Sequence, residues 1–399
     1  MRRRSKTTVA LTRVLLMALV SLILWPARLS AQAWSWTTET AAANPSAKFT
    51  SIAVDNKGNI HVSYSTDQGF GQLNYAFRPA TSSRWYNMVL DEKLGAFYTR
   101  VALDGQGNPQ ICYTPRQTKY AFWDGLKWNI LEIAPHVGTT EYSCSLAIGN
   151  DGKRHVIWYQ THAADYAWYL HLRHAVFEDG AWMLRTVDFD GEAGKWNSIV
   201  LDEQGFPHVT YSQFPIGELR YARWNGKSWT TSIIDSPAIR NTGPEGAARC
   251  MGNSLLLNRE KQWTVSYYDL ASLKYARQEQ DRWTIETVDR LASGGTSLGG
   301  WATYRSTQVS DSHGNVHIGY EDGGALKHAY WNGKQWRVQT VVGISGDSYR
   351  YSDFTIDSND NLYFSYRDAG TGALKVAIGR PIQDPSAVTP PDRREEKKP

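Results

Sequence analysis

The stretch Asp55-Asn56-Lys57-Gly58-Asn59-Ile60-His61-Val62-Ser63-Tyr64 decides the fold, because edited copies of it return as far as Asp357-Ser358-Asn359-Asp360-Asn361-Leu362-Tyr363-Phe364-Ser365-Tyr366. With its first Asp as an anchor, the equivalent positions are Asp55, Asp104, Gly149, Asp202, Asn258, Asp311 and Asp357, spaced 45 to 56 residues apart. Nine residues beyond each anchor stands an aromatic: Tyr64, Tyr113, Trp158, Tyr211, Tyr267, Tyr320 and Tyr366. A later segment supplies Ala76, Ala121, Ala175, Ala222, Ala276, Ala329 and Ala377. Six of these alanines are followed by a Trp: Trp85, Trp128, Trp182, Trp229, Trp283 and Trp336.

The seventh Trp stands at the other end of the chain. Trp36-Thr37-Thr38-Glu39-Thr40 matches Trp283-Thr284-Ile285-Glu286-Thr287, so an early segment supplies the outer strand of the last unit. A period near 50 with about four short strands per period is the signature of propeller blades, and joining the chain ends in one sheet leaves only short, protected edges. The sequence therefore predicts an all-β, seven-bladed β-propeller of four-stranded blades over residues 34–379, closed by the N-terminal strand joining the last blade. Within each unit Ser51-Ile52-Ala53-Val54 reads as an inner strand covered on both faces, the Asp-x-x-Gly-Asn segment as a hairpin turn, and the Trp-bearing strand as the outermost.

Residues 1–33 read as a secretory signal peptide: Arg2, Arg3, Arg4 and Lys6 precede the apolar run 14–25, and Ala31-Gln32-Ala33 offers small residues for cleavage. An exported protein, periplasmic or secreted and without stable membrane insertion, is the expectation, with an uncleaved signal anchor as the alternative. These residues hold six Lys or Arg and no acid, so the remainder carries 43 − 6 = 37 basic against 39 acidic residues. That balance gives no electrostatic footprint for nucleic acid or an anionic membrane. Residues 380–399 read as a disordered, Pro-rich charged tail. Of three cysteines at least one stays unpaired, and Cys112 and Cys144, on adjacent blades, are candidates for a bridge. No zinc-ligand spacing occurs, and no metal or cofactor is implied.

Over residues 34–379 the chain resembles the bacterial exported propellers related to BNR-repeat and sialidase-like proteins. The resemblance is architectural. The nearest local strings, Trp224-Asn225-Gly226-Lys227-Ser228-Trp229 and Trp331-Asn332-Gly333-Lys334-Gln335-Trp336, lack the Ser-x-Asp start of a sialidase Asp box, and no Arg-Ile-Pro segment occurs. Sialidase chemistry is therefore not implied. The same strings are similar to the turns of propeller lectins, a resemblance that implies a non-enzymatic sugar-binding protein.

Residues that recur in blade after blade are read as structural. His61, His155, His208 and His317 each stand six residues past an anchor, which suits an inter-blade hydrogen-bonding role. The Asp-rich turns lack the span and closing Glu of a calcium loop. Asp67, Asp269, Asp322 and Asp368 read as loop-fixing acceptors.

Function in a ring concentrates where the units differ, in the loops entering the inner strands. The residues five to eight before each anchor, with near neighbours, include Lys48, Tyr98, Arg100, Tyr142, Lys195, Trp196, Arg249, Trp301, Tyr304, Arg305, Arg350 and Tyr351. A mouth so lined is cationic and aromatic. Sugar C–H faces stack on aromatic rings while Arg forks hold carboxylates or sulfates, so the expected partner is a carbohydrate, in particular an acidic polysaccharide. The plainer alternative is that these side chains only cap the inner strands.

A polysaccharide lyase could instead use Tyr98, Tyr142, Tyr304 or Tyr351 as base with Arg305 or Arg350. A glycoside hydrolase would need facing carboxyl groups, for which Glu141 and Asp353 are the candidates. A protein-binding scaffold, engaging a cell-envelope protein, is the third reading. Residues 160–170, with His162 and Trp168, form an insertion in the third unit that could overhang the mouth as a lid.

Overall fold

Each repeat folds as an antiparallel meander because its apolar positions alternate and its Asp-Gly and Asn-Gly pairs supply the turns. The computed structural model describes residues 34–43, 46–66, 71–92, 96–114, 117–134, 141–164, 167–214, 216–236, 250–269, 271–292, 305–343 and 352–382. The anticipated signal peptide and residues 383–399 of the anticipated tail lie outside them, as does Asp67; Arg380 and Pro381, expected to open that tail, instead end the strand that pairs with Ser35 and Trp34. The described residues contain no helix and form seven four-stranded antiparallel sheets, a seven-bladed β-propeller. The inner strands are Ala47–Val54, Phe97–Leu103, Glu141–Ile148, Glu192–Leu201, Met251–Leu257, Thr307–Ser310 and Asp353–Ile356.

The last blade is completed from the other end of the chain. Trp34–Ala42 pairs antiparallel with Leu374–Pro381, from Trp34 opposite Pro381 to Ala42 opposite Leu374. Trp34 is buried and lies edge-on to His317, His328 and Tyr330 of the sixth blade, while its carbonyl accepts from Gln339 Nε2 at 3.0 Å. The match between the two Trp-Thr-x-Glu-Thr segments has a structural meaning. Glu39 accepts the indole N–H of Trp85 at 3.2 Å and Glu286 that of Trp336 at 3.0 Å, each from the outer strand of the next blade.

Apolar layers fill the seven gaps between blades among the described residues. At the seam where the chain ends meet, Ile52, Ile60 and Val62 pack on Tyr363, Val376 and Ile378. Gly319 stands where Phe354 of the next blade crosses: a Cβ there would lie 2.4 Å from the Phe354 ring, so the aromatic requires the glycine.

The recurring aromatic has a polar task as well. Tyr113, Tyr211, Tyr267 and Tyr320 donate to Asp91, Asp188, Asp235 and Asp289 at 2.7, 2.5, 2.5 and 2.5 Å. Each of these acids closes the outer strand of the preceding blade. Between the second and third blades Trp158 replaces the Tyr, and there Cys112 and Cys144 form a disulfide with Cα atoms 6.4 Å apart.

The recurring histidines are likewise built into the blades. His61 Nδ1 contacts Tyr75 Oη at 2.6 Å, His155 contacts His174 at 3.1 Å and His317 contacts His328 at 2.9 Å. His208 pairs with Tyr221 and with Asp202. The insertion at 160–170 continues the second and third strands of its blade as a longer hairpin, paired out to Ala164 opposite Ala167. No described helix is long and apolar enough to cross a membrane.

Replacing Trp34 with Ala removes a buried indole at the closure seam. The expected loss is about 3–5 kcal/mol of unfolding free energy, measurable by urea titration.

Acid should also destabilise the ring. Burial holds His61 and His155 neutral, with pKa lowered to about 4, so the unfolded chain takes up protons that the folded chain refuses between pH 6.5 and 4. Stability is then full above about pH 6.5 and falls as the pH drops towards 4, by roughly 3 kcal/mol per histidine. Burial raises Glu321 to about 7. Its contribution has the opposite sign, present below about pH 4.5 and lost as the pH rises through 7, and offsets about one of the two histidines. The urea midpoint is expected to fall from pH 7 to pH 4.

Candidate functional site

The seven inner strands start at the mouth of the axis, and there the repeat builds three stacked polar and aromatic rings. Four residues before the anchors stand Ser51, Arg100, Ser145, Ser198, Ser254, Thr307 and Asp353. An inner strand has no fifth strand to pair with, and these side chains cap its free N–H groups from the neighbouring blade. Val101 N–H donates to Ser51 Oγ at 3.2 Å, Leu255 N–H to Ser198 Oγ at 3.1 Å, Gln308 N–H to Ser254 Oγ at 3.2 Å and Ile52 N–H to Asp353 Oδ2 at 3.1 Å.

One residue closer to the mouth the ring reads Thr50, Thr99, Cys144, Asn197, Asn253, Ser306 and Ser352. Thr99 Oγ1 donates to the Phe49 carbonyl at 2.7 Å, Asn197 Nδ2 to that of Ser143 at 3.2 Å and Ser306 Oγ to that of Gly252 at 2.8 Å. Asn253 Nδ2 reaches the Trp196 carbonyl in the same way. These carbonyls can face sideways because their residues are left-handed: φ is +50° at Phe49, +49° at Tyr98, +55° at Ser143, +49° at Trp196 and +58° at Gly252. Each sits at a bulge where the inner strand slips register against its partner.

The bulge decides which side chains face the axis. A cavity of about 60 Å³ there is lined from all seven blades, by Phe49 and Thr50, by Tyr98, Thr99 and Arg100, by Ser143 and Cys144, by Trp196 and Asn197, by Gly252 and Asn253, by Arg305, and by Ser352.

Two positions break the Ser/Thr ring beneath it. Arg100 Nη1 donates to Asp353 Oδ1 at 3.0 Å, and Arg305 Nη2 lies 3.5 Å from the same oxygen. Thr307 Oγ1 also donates to Oδ1 at 3.0 Å, and Ser51 Oγ to Oδ2 at 2.6 Å. Asp353 is 4% exposed, against 17% for Arg100 and 21% for Arg305. The Arg305 Nη2 atom is buried without a hydrogen bond of good geometry. Behind this wall the buried Glu321 accepts from the Ser352 N–H at 3.1 Å, and Tyr268 Oη donates to the Glu321 carbonyl at 3.0 Å.

Of the residues singled out in the sequence, the structure brings Tyr98, Arg100, Trp196 and Arg305 together in one cavity. Lys48 and Lys195, one position before the left-handed residues, are not in its lining; Lys195 pairs with Glu192 at 3.0 Å and lies 5.8 Å from the Tyr159 ring. Asp353 lies at the cavity floor, bound by its neighbours. The side chains of Glu141 and Tyr142, together with Arg249, Trp301, Tyr304, Arg350 and Tyr351, lie outside the described residues. The polar ring of Thr50, Thr99, Asn197, Asn253 and Ser352 went unread in the sequence, although a small or polar residue at that position in every repeat was its signal.

No family model matches this sequence, and no curated protein matches it. Solved structures share its fold. The BP39L lectin of Burkholderia pseudomallei superposes with a TM-score of 0.59 at 14% identity, over 85% of this chain and 96% of that one. A Dyadobacter fermentans protein of unknown function gives 0.51 at 11% identity, over 87% and 98%. The fucose-specific lectin of Aleuria aurantia gives 0.50 at 14% identity, over 76% and 99%. At such identities the likeness is one of fold.

Cys144 forms part of the cavity wall through its bridge to Cys112, and Cys250 is free and buried. Denatured, unreduced protein is expected to titrate one thiol per chain, rising to three after reduction, by reaction with a chromogenic disulfide.

Proposed function

We propose that this protein binds carbohydrate at the axial mouth, with a preference for acidic glycans. The observation that carries this reading is the convergence of Phe49, Tyr98 and Trp196 with Arg100 and Arg305 around one cavity. An aromatic face offers a flat apolar surface to the C–H side of a pyranose, and a guanidinium fork fits a carboxylate or sulfate. Lectins among the solved structures with this fold support the same class of ligand.

Export belongs to the same proposal. It is supported by the basic and apolar sequence of residues 1–33 and by the Cys112–Cys144 bridge, since disulfides persist in oxidising compartments.

Affinity electrophoresis in gels containing pectate, alginate, a sulfated galactan or neutral dextran tests the binding. Retardation by at least one acidic polymer, weak in dextran, is the expected pattern. Trp196→Ala should raise the dissociation constant by about tenfold or more, whereas Lys57→Ala, on an exposed turn at the far end of an inner strand, should leave it unchanged. Equal mobility in every gel would overturn the proposal.

A further inference from the structure

Asp353 supplies one oxygen more than the fold asks of it. At its place in the ring, serines cap the next blade's N–H with a single oxygen, as Ser51, Ser198 and Ser254 do. Asp353 does the same through Oδ2, which accepts from Ile52 N–H and Ser51 Oγ. Its other oxygen, Oδ1, is turned to Arg100, Thr307 and Arg305.

Arg100 and Arg305 are the charged groups among the described lining residues. Without a counter-ion, two guanidinium groups lining one cavity would repel one another and would attract free anions. With Asp353 in place the cluster carries a net single positive charge. Arg305 is the more loosely held of the two: its Nη2, buried 3.5 Å from Oδ1, makes no hydrogen bond, whereas Arg100 donates to that oxygen at 3.0 Å.

The cavity of about 60 Å³ has room for a few water molecules, at roughly 10–15 Å³ each, so a carboxylate or sulfate group can reach the guanidinium groups at its floor.

We propose that Asp353 is a built-in counter-ion that sets the charge selectivity of the axial cavity. It leaves a seat for one singly charged group at Arg305 and suppresses capture of free inorganic anions. An anionic group delivered on a ring that also covers Trp196 and Tyr98 binds well; the same group alone binds weakly. The ring part of this inference rests on the carbohydrate reading, whereas the charge part does not. Discrimination of this kind works by weakening the competitor as well as favouring the ligand.

The test is calorimetric titration of the full chain with sodium sulfate and, separately, with sodium glucuronate, at constant ionic strength. Asp353→Ser restores the residue type of the neighbouring blades and retains an oxygen for Ile52 N–H. It is expected to bind sulfate at least about tenfold more tightly than the wild type. Adding Arg305→Gln to that variant should abolish the gain.

Asp353→Asn gives a second route should the serine variant melt early, with the same direction expected. Arg305→Gln alone should remove the residual sulfate binding of the wild type. A natively melting Asp353→Ser or Asp353→Asn protein that binds sulfate no more tightly than wild type overturns the proposal, as does a gain that survives Arg305→Gln. Glucose 6-sulfate as a third titrant, set against glucuronate, distinguishes a sulfate from a carboxylate source on a comparable ring. If sulfate behaves as expected while no glycan gel retards the wild type, the counter-ion stands and the carbohydrate reading falls. If an acidic gel retards the wild type while the Asp353 variants gain no sulfate affinity, the carbohydrate reading stands and the counter-ion falls.

Discussion

The antiparallel pairing of Trp34–Ala42 with Leu374–Pro381 is the contact on which everything at the axis depends. A meander of blades has no intrinsic reason to end beside its beginning; the chain end that completes the last sheet makes it do so. Once the ring is closed, the first and last inner strands become neighbours. Ser51 can then reach Asp353 across 302 residues of sequence and Arg100 can reach it across 253. An open ring would lose both contacts, and the cavity floor would go with them.

Closure is reinforced at three radii. Near the axis the serine and threonine side chains cap the unpaired edges of the inner strands. At mid-radius Tyr113, Tyr211, Tyr267 and Tyr320 of the second strands donate to acids at the ends of the preceding outer strands, while Tyr64 donates to Asn87 of its own blade. At the periphery, indole N–H groups reach Glu39 and Glu286. Where Trp158 breaks the middle series, the disulfide to Cys144 ties the same two blades. A covalent link thus occupies the one gap where the aromatic at this repeat position lacks a hydroxyl.

The architecture was legible because its determinants are periodic. Seven anchors, seven aromatics and a displaced Trp-Thr-x-Glu-Thr segment set the blade count and the closing strand without reference to any distance. The site was legible only in part. Tyr98, Trp196 and Arg305 stood out because they break the repeat. The window that contained them also contained Lys48 and Lys195, and strand alternation could not separate the two sets. The reason is the bulge at each mouth, which inserts a left-handed residue and breaks the alternation of period two. The Arg100–Asp353 pair was out of reach for a different reason, since it joins the second and seventh blades, which meet only around the closed axis.

The left-handed residues show how to separate structure from function here. Ser143 and Gly252 adopt the same positive φ as Phe49, Tyr98 and Trp196, so the backbone conformation belongs to the blade and marks no ligand. Glycine is the residue that meets such a conformation without strain, while a bulky side chain costs on the order of 1 kcal/mol or more. Gly252 shows that the inter-blade hydrogen bond is made equally well without a side chain, because its carbonyl accepts from Ser306 at 2.8 Å. The aromatics at the other blades therefore add nothing to that hydrogen bond. They lie in the cavity lining beside Arg100 and Arg305, where Phe49 also packs on Tyr98 of the next blade with ring centroids 4.6 Å apart.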